Sequence, residues 1–287
     1  MGNRKLKISV VTVCYNAVDS IEKTIKSVVN QTYDNIEYVI IDGLSKDGTI
    51  GVINEYREKI AYFVSEPDKG IYDAMNKGIK AATGDWIIFM NAGDTFKTSD
   101  ILRELGRILL NIQSDIRIIR GNIIRKYSNL SVKSTGVTSQ SPGLMDMINN
   151  TFHHQACLIQ RSLFDDYGYY STDYKLCSDW IFFYNCVVLH HVKTMYVDLD
   201  VALFEMDGAT SVNTKQNEIE QSKFLTNLYG VELYGLLQEL SVYRKSSLCR
   251  CFCRLYINFR SNLSPKNFNR LLTAKRYIRS ILGLKVN

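Results

Sequence analysis

The chain has 287 residues, enough for one large domain with an appendage or two small ones. With 46% hydrophobic and 22% charged residues and 3 prolines beside 17 glycines, its composition excludes disordered, collagen-like and low-complexity proteins. The net charge of +6 hides an asymmetry: from Arg244 onward stand 11 basic residues and no acid, leaving a mildly acidic body of 24 basic against 29 acidic residues.

The first hundred residues alternate apolar runs with helical periodicity, the pattern of βα units on a parallel sheet. Ile8 to Val13 reads as a buried strand. Asp19, with Glu22 three residues on, reads as the cap of a helix whose apolar face is Ile21, Ile25, Val28 and Val29. Glu37 to Ile41 is a second strand, followed by turn residues from Asp42 to Thr49 and a helix with Ile50, Ile53 and Tyr56. Ile60 to Val64 is a third strand, Ile71 to Ala81 a helix, and Trp86 to Met90 a fourth strand that stops at Asn91-Ala92-Gly93-Asp94. Ligands of open α/β sheets gather at strand carboxyl ends, so Tyr15, Asn16, Asp42 and Asp94 are expected around one crevice.

The second half is less regular. A helix near Ile101 to Leu110 precedes apolar runs at Ile116 to Ile119 and Ile123 to Ile124, then a polar stretch from Ser128 to Pro142. A strand from Ala156 to Ile159, a helix from Cys177 to Val188, short strands at Met195 to Val197 and Val201 to Phe204, and one long helix from Glu218 to Leu240 complete the body. Residues 1–240 thus form one domain, with halves of about 1–100 and 101–240, and 241–287 form a basic helical tail. No apolar stretch approaches the roughly 18 residues that cross a bilayer. No apolar leader follows the first basic residues, so a cytoplasmic location is expected. Seven cysteines without framework spacing fit reduced thiols; Cys249, Cys251 and Cys253 could bind a soft metal but lack a second matching cluster.

Between residues 6 and 210 several motifs follow in order: Val10 to Asn16; Gln31-Thr32-Tyr33; Ile40 to Thr49; Glu66 to Gly78; Ala82 to Trp86; and Asn91 to Asp94. Ser178-Asp179-Trp180 closes the series. The set resembles the inverting glycosyltransferases of family two, whose nucleotide-sugar-binding fold is called GT-A. The resemblance implies an α/β GT-A domain that moves a hexosyl or N-acetylhexosaminyl group with inversion. The sugar would pass from a nucleoside diphosphate sugar, a UDP-sugar, to a saccharide acceptor of surface polysaccharide synthesis.

Each matched position has a physical rationale. Val13, Tyr15 and Asn16 would line the nucleotide, with Tyr15 against a pyrimidine ring. Asp42 would accept a hydrogen bond from base or ribose, although the usual acidic pair is reduced here to Asp42-Gly43. Asp68, Asn76 and Lys77 open and line a helix near the donor; Lys77 could meet phosphate, or be a solvated charge paired with Asp73. By the resemblance Asn91 and Ala92 would fall beside the nucleotide. Asp94 matches the last acid of a DxD-type motif and would hold Mg²⁺ or Mn²⁺ against the diphosphate, the earlier acids being Asn91 and Gly93 here. Asp179 matches the base that takes the acceptor's proton, and could otherwise be only a helix N-terminal charge. Of His153 and His154, adjacent on an extended segment, at most one would face the site, to contact acceptor or diphosphate or to serve the structure.

Neither GxGxxG after the first strand nor GxxxxGK[ST] is present, which removes the main support for redox and P-loop chemistry. A non-catalytic nucleotide-sugar-binding protein is the alternative on the same fold. In the tail, Leu248, Cys251, Phe252, Leu255, Tyr256 and Phe259 recur at helical spacing, with Arg250 and Arg254 off that stripe. A second helix after Pro265 repeats the arrangement with Arg276 and Arg279. Such helices fit an anionic membrane surface on the cytoplasmic side and a lipid-linked acceptor, or else they pack on the body. No nucleic-acid recognition motif accompanies the charge.

Overall fold

The computed structural model describes residues 6–205 and 214–242; the basic tail beyond, with its expected helices and Cys249, Cys251 and Cys253, lies outside the described residues. Strand β1 (Ile8–Cys14) is buried along its whole length, as an apolar run in the middle of a parallel sheet must be. It pairs in parallel with β2 (Ile36–Asp42) on one side and β4 (Trp86–Phe89) on the other, and β3 (Tyr62–Ser65) extends the sheet beyond β2. The order β3-β2-β1-β4 reverses direction at β1, which opens a crevice at the strands' carboxyl ends. Helix α1 (Val18–Val29) buries Ile21, Ile25 and Val28 in the core with Val10, Ile40 and Ile88 of the sheet. Helices α2 (Thr49–Glu55) and α3 (Ile71–Ala81) complete the βα units.

Beyond β4 the sheet becomes mixed. Strand β8 (Cys157–Gln160) runs antiparallel to β4, β6 (Ile116–Tyr127) antiparallel to β8, and β9 (Lys193–Glu205) parallel to β6. The short β5 (Thr95–Phe96) caps the β9 edge, and β7 (Leu130–Ser134), within the polar stretch from Ser128 to Pro142, folds back on β6. Helices α4 (Ile101–Leu109), α5 (Leu144–Asn149), α6 (Ser162–Tyr167) and α7 (Ser178–Tyr184) flank it, α7 continuing as a π-helical turn over Asn185–Leu189.

Three expectations need correction. The N-terminus of α1 is not capped by Asp19: Ala17 N–H donates to Thr49 Oγ1 at 2.8 Å and Val18 N–H to Asp47 Oδ2 at 3.0 Å, so the β2–α2 loop takes those donors. The paired apolar runs in β6 and in β9 are each one strand, kept in register past interruptions at Arg120, Gly121 and Asn122 by bulges. The long last helix is two, α8 (Thr214–Tyr229) and α9 (Val231–Val242), divided at Gly230 with φ 78°. The chain divides into compact units at Gln221/Ser222. In the second, Leu225, Leu236 and Leu237 are buried and the Ser222 and Tyr234 hydroxyls lie 3.0 Å apart.

Candidate active site

The crevice begins where β1 and β2 end. Asn16 takes the left-handed φ of 46°, which its short polar side chain tolerates. Its Oδ1 accepts from Lys46 N–H at 3.0 Å and its own N–H donates to Ser45 Oγ at 2.8 Å, so the two strand-end loops are tied together. Tyr15 projects from this junction with 65% of its surface exposed, an open aromatic face. Asp42, expected to meet base or ribose, is instead wholly buried. It accepts from Ser45 N–H (2.9 Å), Ser65 Oγ (2.6 Å) and Cys14 Sγ (3.4 Å), and from the Ser45 hydroxyl, and so shapes the loop. The free carboxylate beside Tyr15 belongs to Asp68. A Cβ placed on Gly43 would lie 2.5 Å from Asp68 Oδ2 and 3.2 Å from Tyr15 Cδ2, so Asp68 fills the place of a side chain at 43. Its Oδ1 accepts from Gly70 N–H at 2.9 Å.

Asn76 and Lys77, expected to line the donor, are engaged by neighbouring protein groups. The Asn76 amide bonds both the carbonyl (2.8 Å) and the N–H (3.0 Å) of Tyr170, and Lys77 Nζ donates to Pro67 O at 2.6 Å and pairs with Glu66 at 2.9 Å. Both lock α3 to its surroundings. Val13 contributes its backbone, its carbonyl accepting from Ala92 N–H at 3.1 Å and joining the end of β1 to the turn after β4.

That turn is fastened by Thr24 of α1, whose hydroxyl donates to Asp94 O (2.7 Å) and accepts from Gly93 N–H (3.0 Å), with Gly93 at φ 103°. Asp94 is 5% exposed. Burial pushes its carboxyl up to about 7, against the opposing pull of His154, a hydrogen bond from Gln155, and Lys23. The Asn91 Oδ1 is buried without a partner. The residues suit a hard divalent cation completed by the donor: one carboxylate oxygen donor whose charge lacks full compensation. No group of three or more His, Cys, Asp or Glu among the described residues could hold such an ion by itself.

The other wall comes from the second half of the domain. Asp179, in the first turn of α7, accepts from Tyr72 Oη at 2.7 Å on Oδ1 and meets His154 Nδ1 at 3.0 Å on Oδ2. Burial would raise the Asp179 carboxyl, but His154 first, then Tyr72 and the Trp180 N–H, hold it below the ordinary carboxylate range. Burial would lower the His154 imidazole, yet the bond and charge of Asp179, with Asp94 further away, raise it. The ring's Nε2 lies 3.3 Å from Asn91 Nδ2, so His154 bridges Asp179 to the turn that carries Asp94. In the neutral ring Nε2 accepts from the amide; turning the amide would present Oδ1 to an imidazolium. His153 faces away and lies 2.9 Å from Ser134 Oγ; burial, helped by Arg125 and His154, pushes it down to about 4. Sequence reasoning missed Tyr72, whose partner is 107 residues away, and the bond from Gln155 to Asp94. The only signals were the place of Tyr72 inside the motif from Glu66 to Gly78 and that of Gln155 directly after His154.

Glycosyl transferase family 2 matches residues 9–167, more than half of the chain. The chain belongs to that family. A PGL/p-HBAD biosynthesis glycosyltransferase of Mycobacterium bovis is 27% identical over 228 residues, covering 77% of this chain and 83% of the relative. An uncharacterised glycosyltransferase of Mycobacterium tuberculosis is 40% identical over 98 residues, 34% of this chain and 37% of its own. Among solved structures, S. aureus TarS 1-349 in complex with UDP superposes with TM-score 0.60 at 15% identity over 93% of this chain and 78% of that one. The alignment with another TarS 1-349 structure covers 60% of its length. The mannosyltransferase PcManGT from Pyrobaculum calidifontis, in complex with GDP-Man and Mn²⁺, gives TM-score 0.59 at 14% identity over 96% of this chain and 81% of that one. The sheet is thus the GT-A fold of family 2. Its four described cysteines, Cys14, Cys157, Cys177 and Cys186, are buried free thiols. Among the described residues no helix is long and apolar enough to cross a membrane.

Proposed function

We propose that this glycosyltransferase takes its sugar from a UDP-sugar and transfers it with inversion to a saccharide hydroxyl. The observation that carries the reading is the hydrogen-bonded path from Asp179 through His154 to Asn91, which puts an ionised carboxylate and the Asp94 turn in one site.

On the donor side Tyr15 offers its face to the base, and the free Asp68 Oδ2 accepts the imino N–H of uracil, which a cytosine or adenine ring lacks. Asn91 Oδ1, buried beside Asp94 without a partner, is an acceptor left over for the donor. Asp94 would hold a divalent cation, which would supply positive charge against the diphosphate as it leaves. The acceptor oxygen attacks the anomeric carbon from the face opposite the diphosphate, forming the new C–O bond as the old one breaks and leaves its electron pair on UDP. The hydroxyl proton passes to Asp179. The attack direction inverts the anomeric centre. The neighbour solved with UDP supports the donor class, and the neighbour solved with Mn²⁺ supports the metal. The 11 basic residues of the tail support a peripheral position on an anionic membrane surface, with a lipid-linked acceptor of surface polysaccharide synthesis.

Thermal shift with UDP, GDP, ADP and CDP, each with Mg²⁺ or Mn²⁺, tests the donor reading. UDP should raise Tm the most, and only with metal; a larger rise with CDP or ADP would refute the role of Asp68.

A further inference from the structure

Both oxygens of the Asp179 carboxylate are held by side chains from opposite halves of the domain. His154 comes from the segment before β8 and Tyr72 from the first turn of α3. We propose that Tyr72 is a positioning residue for the base: its hydroxyl, carried on a helix of the donor half, fixes Asp179 Oδ1 so that the remaining lone pairs meet the acceptor hydroxyl. This rests on the reading of Asp179 as the base.

Packing alone does not explain a tyrosine here. The ring of Tyr72 lies 5.6 Å from that of Tyr170, in an aromatic cluster whose other members are Phe89, Phe164 and Phe182. Phenylalanine would fill the same volume. The neighbouring Tyr170 hydroxyl is buried without a partner, whereas the Tyr72 hydroxyl is spent on a carboxylate. A carboxylate with one bonded oxygen still swings about its other torsion; two bonds to two oxygens remove that freedom. The helix that delivers Tyr72 is itself fixed. Asn76, one turn on, grips the backbone of Tyr170, and Lys77 grips Pro67. Its N-terminus follows the Asp68–Gly70 turn beside Tyr15, so the residues framing the base pocket and those aiming Asp179 share one element.

The titratable groups facing Asp179 are Tyr72 from α3, His153 and His154 before β8, Cys157 at the start of β8, Tyr170 after α6 and Cys177 before α7. Burial first, and the charge of Asp179 among the rest, pushes the phenols and thiols up, so they stay neutral where a carboxylate titrates. The two histidines change charge, and both remain in a Tyr72 variant.

The test is Tyr72→Phe in the full chain, with UDP-sugar, Mg²⁺ and a saccharide acceptor. Loss of a charge-assisted bond should lower kcat by about 10- to 100-fold with donor KM within about two-fold. With metal and UDP-sugar saturating, so that Asp94 stays ionised, the acid limb of the kcat–pH profile should move to higher pH, because the bond favouring the Asp179 carboxylate is gone. A kcat within two-fold with an unmoved limb, or equal losses in UDP affinity and kcat, would overturn the assignment. Should Tyr72→Phe fail to fold, 3-fluorotyrosine at 72 keeps the packing and strengthens the donor, so the limb should move to lower pH; an unmoved limb overturns it. The ¹³C titration of the Asp179 carboxyl reads the same hold without turnover. A chain that transfers nothing would therefore defeat the functional reading while the titration still decides the role of Tyr72.

Discussion

Gly43→Ala isolates the base pocket. Gly43 does not have a positive φ, so alanine meets no backbone strain there, and the whole effect comes from its Cβ. That atom would stand 2.5 Å from Asp68 Oδ2 and 3.2 Å from Tyr15 Cδ2. Ordinary contact begins near 3.4 Å, so Asp68 must retreat by most of an ångström and the Tyr15 edge by a few tenths. Asp68 is a half-exposed side chain and can swing, so the fold should survive with Tm nearly unchanged. The base then loses one hydrogen bond to a charged acceptor, worth about 1.5–3 kcal/mol, or roughly 10- to 100-fold in UDP affinity. Calorimetric titration with UDP and Mg²⁺ measures it. Wild-type affinity in Gly43→Ala would refute the placement of the base between Tyr15 and Asp68.

Two further outcomes follow from charge. Because burial raises Asp94 to about 7, the folded state holds a proton that the unfolded chain loses near pH 4. This group's contribution to stability is therefore present below pH 4 and lost as pH rises through 7. Metal and UDP need the ionised form, so their affinity should fall about ten-fold per pH unit below 7, and Asp94→Asn should abolish the metal response of Tm. A flat metal affinity between pH 5.5 and 8 would count against Asp94. For the tail, truncation after Leu240 should remove binding to anionic vesicles, each lost basic residue near the surface being worth about 1 kcal/mol. Full-length binding should weaken as salt shortens the Debye length to about 10 Å at 0.1 M. Equal vesicle binding by both proteins would refute the tail's role.

The donor half was legible because its physics is local. Ile8 to Val13 reads as a buried strand and lies in one, and Ile71 to Ala81 appears with the bounds read from its periodicity. The acceptor half was harder because polar residues sit inside its strands. Arg120 divides the apolar runs of β6 yet is 2% exposed, its guanidinium bonded to the Val137 and Ser139 carbonyls and stacked 4.4 Å from the centre of Phe152. Asp198 and Asp200 divide β9 while pairing with Lys133. No window of sequence reveals such long-range partners.

The site shows the same division. Tyr15, Asn16, Asp94 and Asp179 stand out in the sequence by their positions after strands or within motifs, but what each carboxylate bonds does not. Asp42 turned inward because Cys14, Ser45 and Ser65 offer it donors, and Asp68 took the open position beside Gly43. The relation of His154 to Asp179 spans 25 residues and depends on which of two adjacent histidines turns inward.

The central claim, that Asp179 takes the proton as a UDP-sugar loses its sugar, is tested most directly by ³¹P NMR of UDP-sugar consumption with Mg²⁺, in wild type and Asp179→Asn. UDP resonances should grow with the wild type, with or without a saccharide, since water can replace the acceptor. Asp179→Asn should slow them about 10²- to 10⁴-fold while binding UDP within a few-fold. Equal rates of UDP release by the two proteins in the presence of a saccharide acceptor would contradict the account.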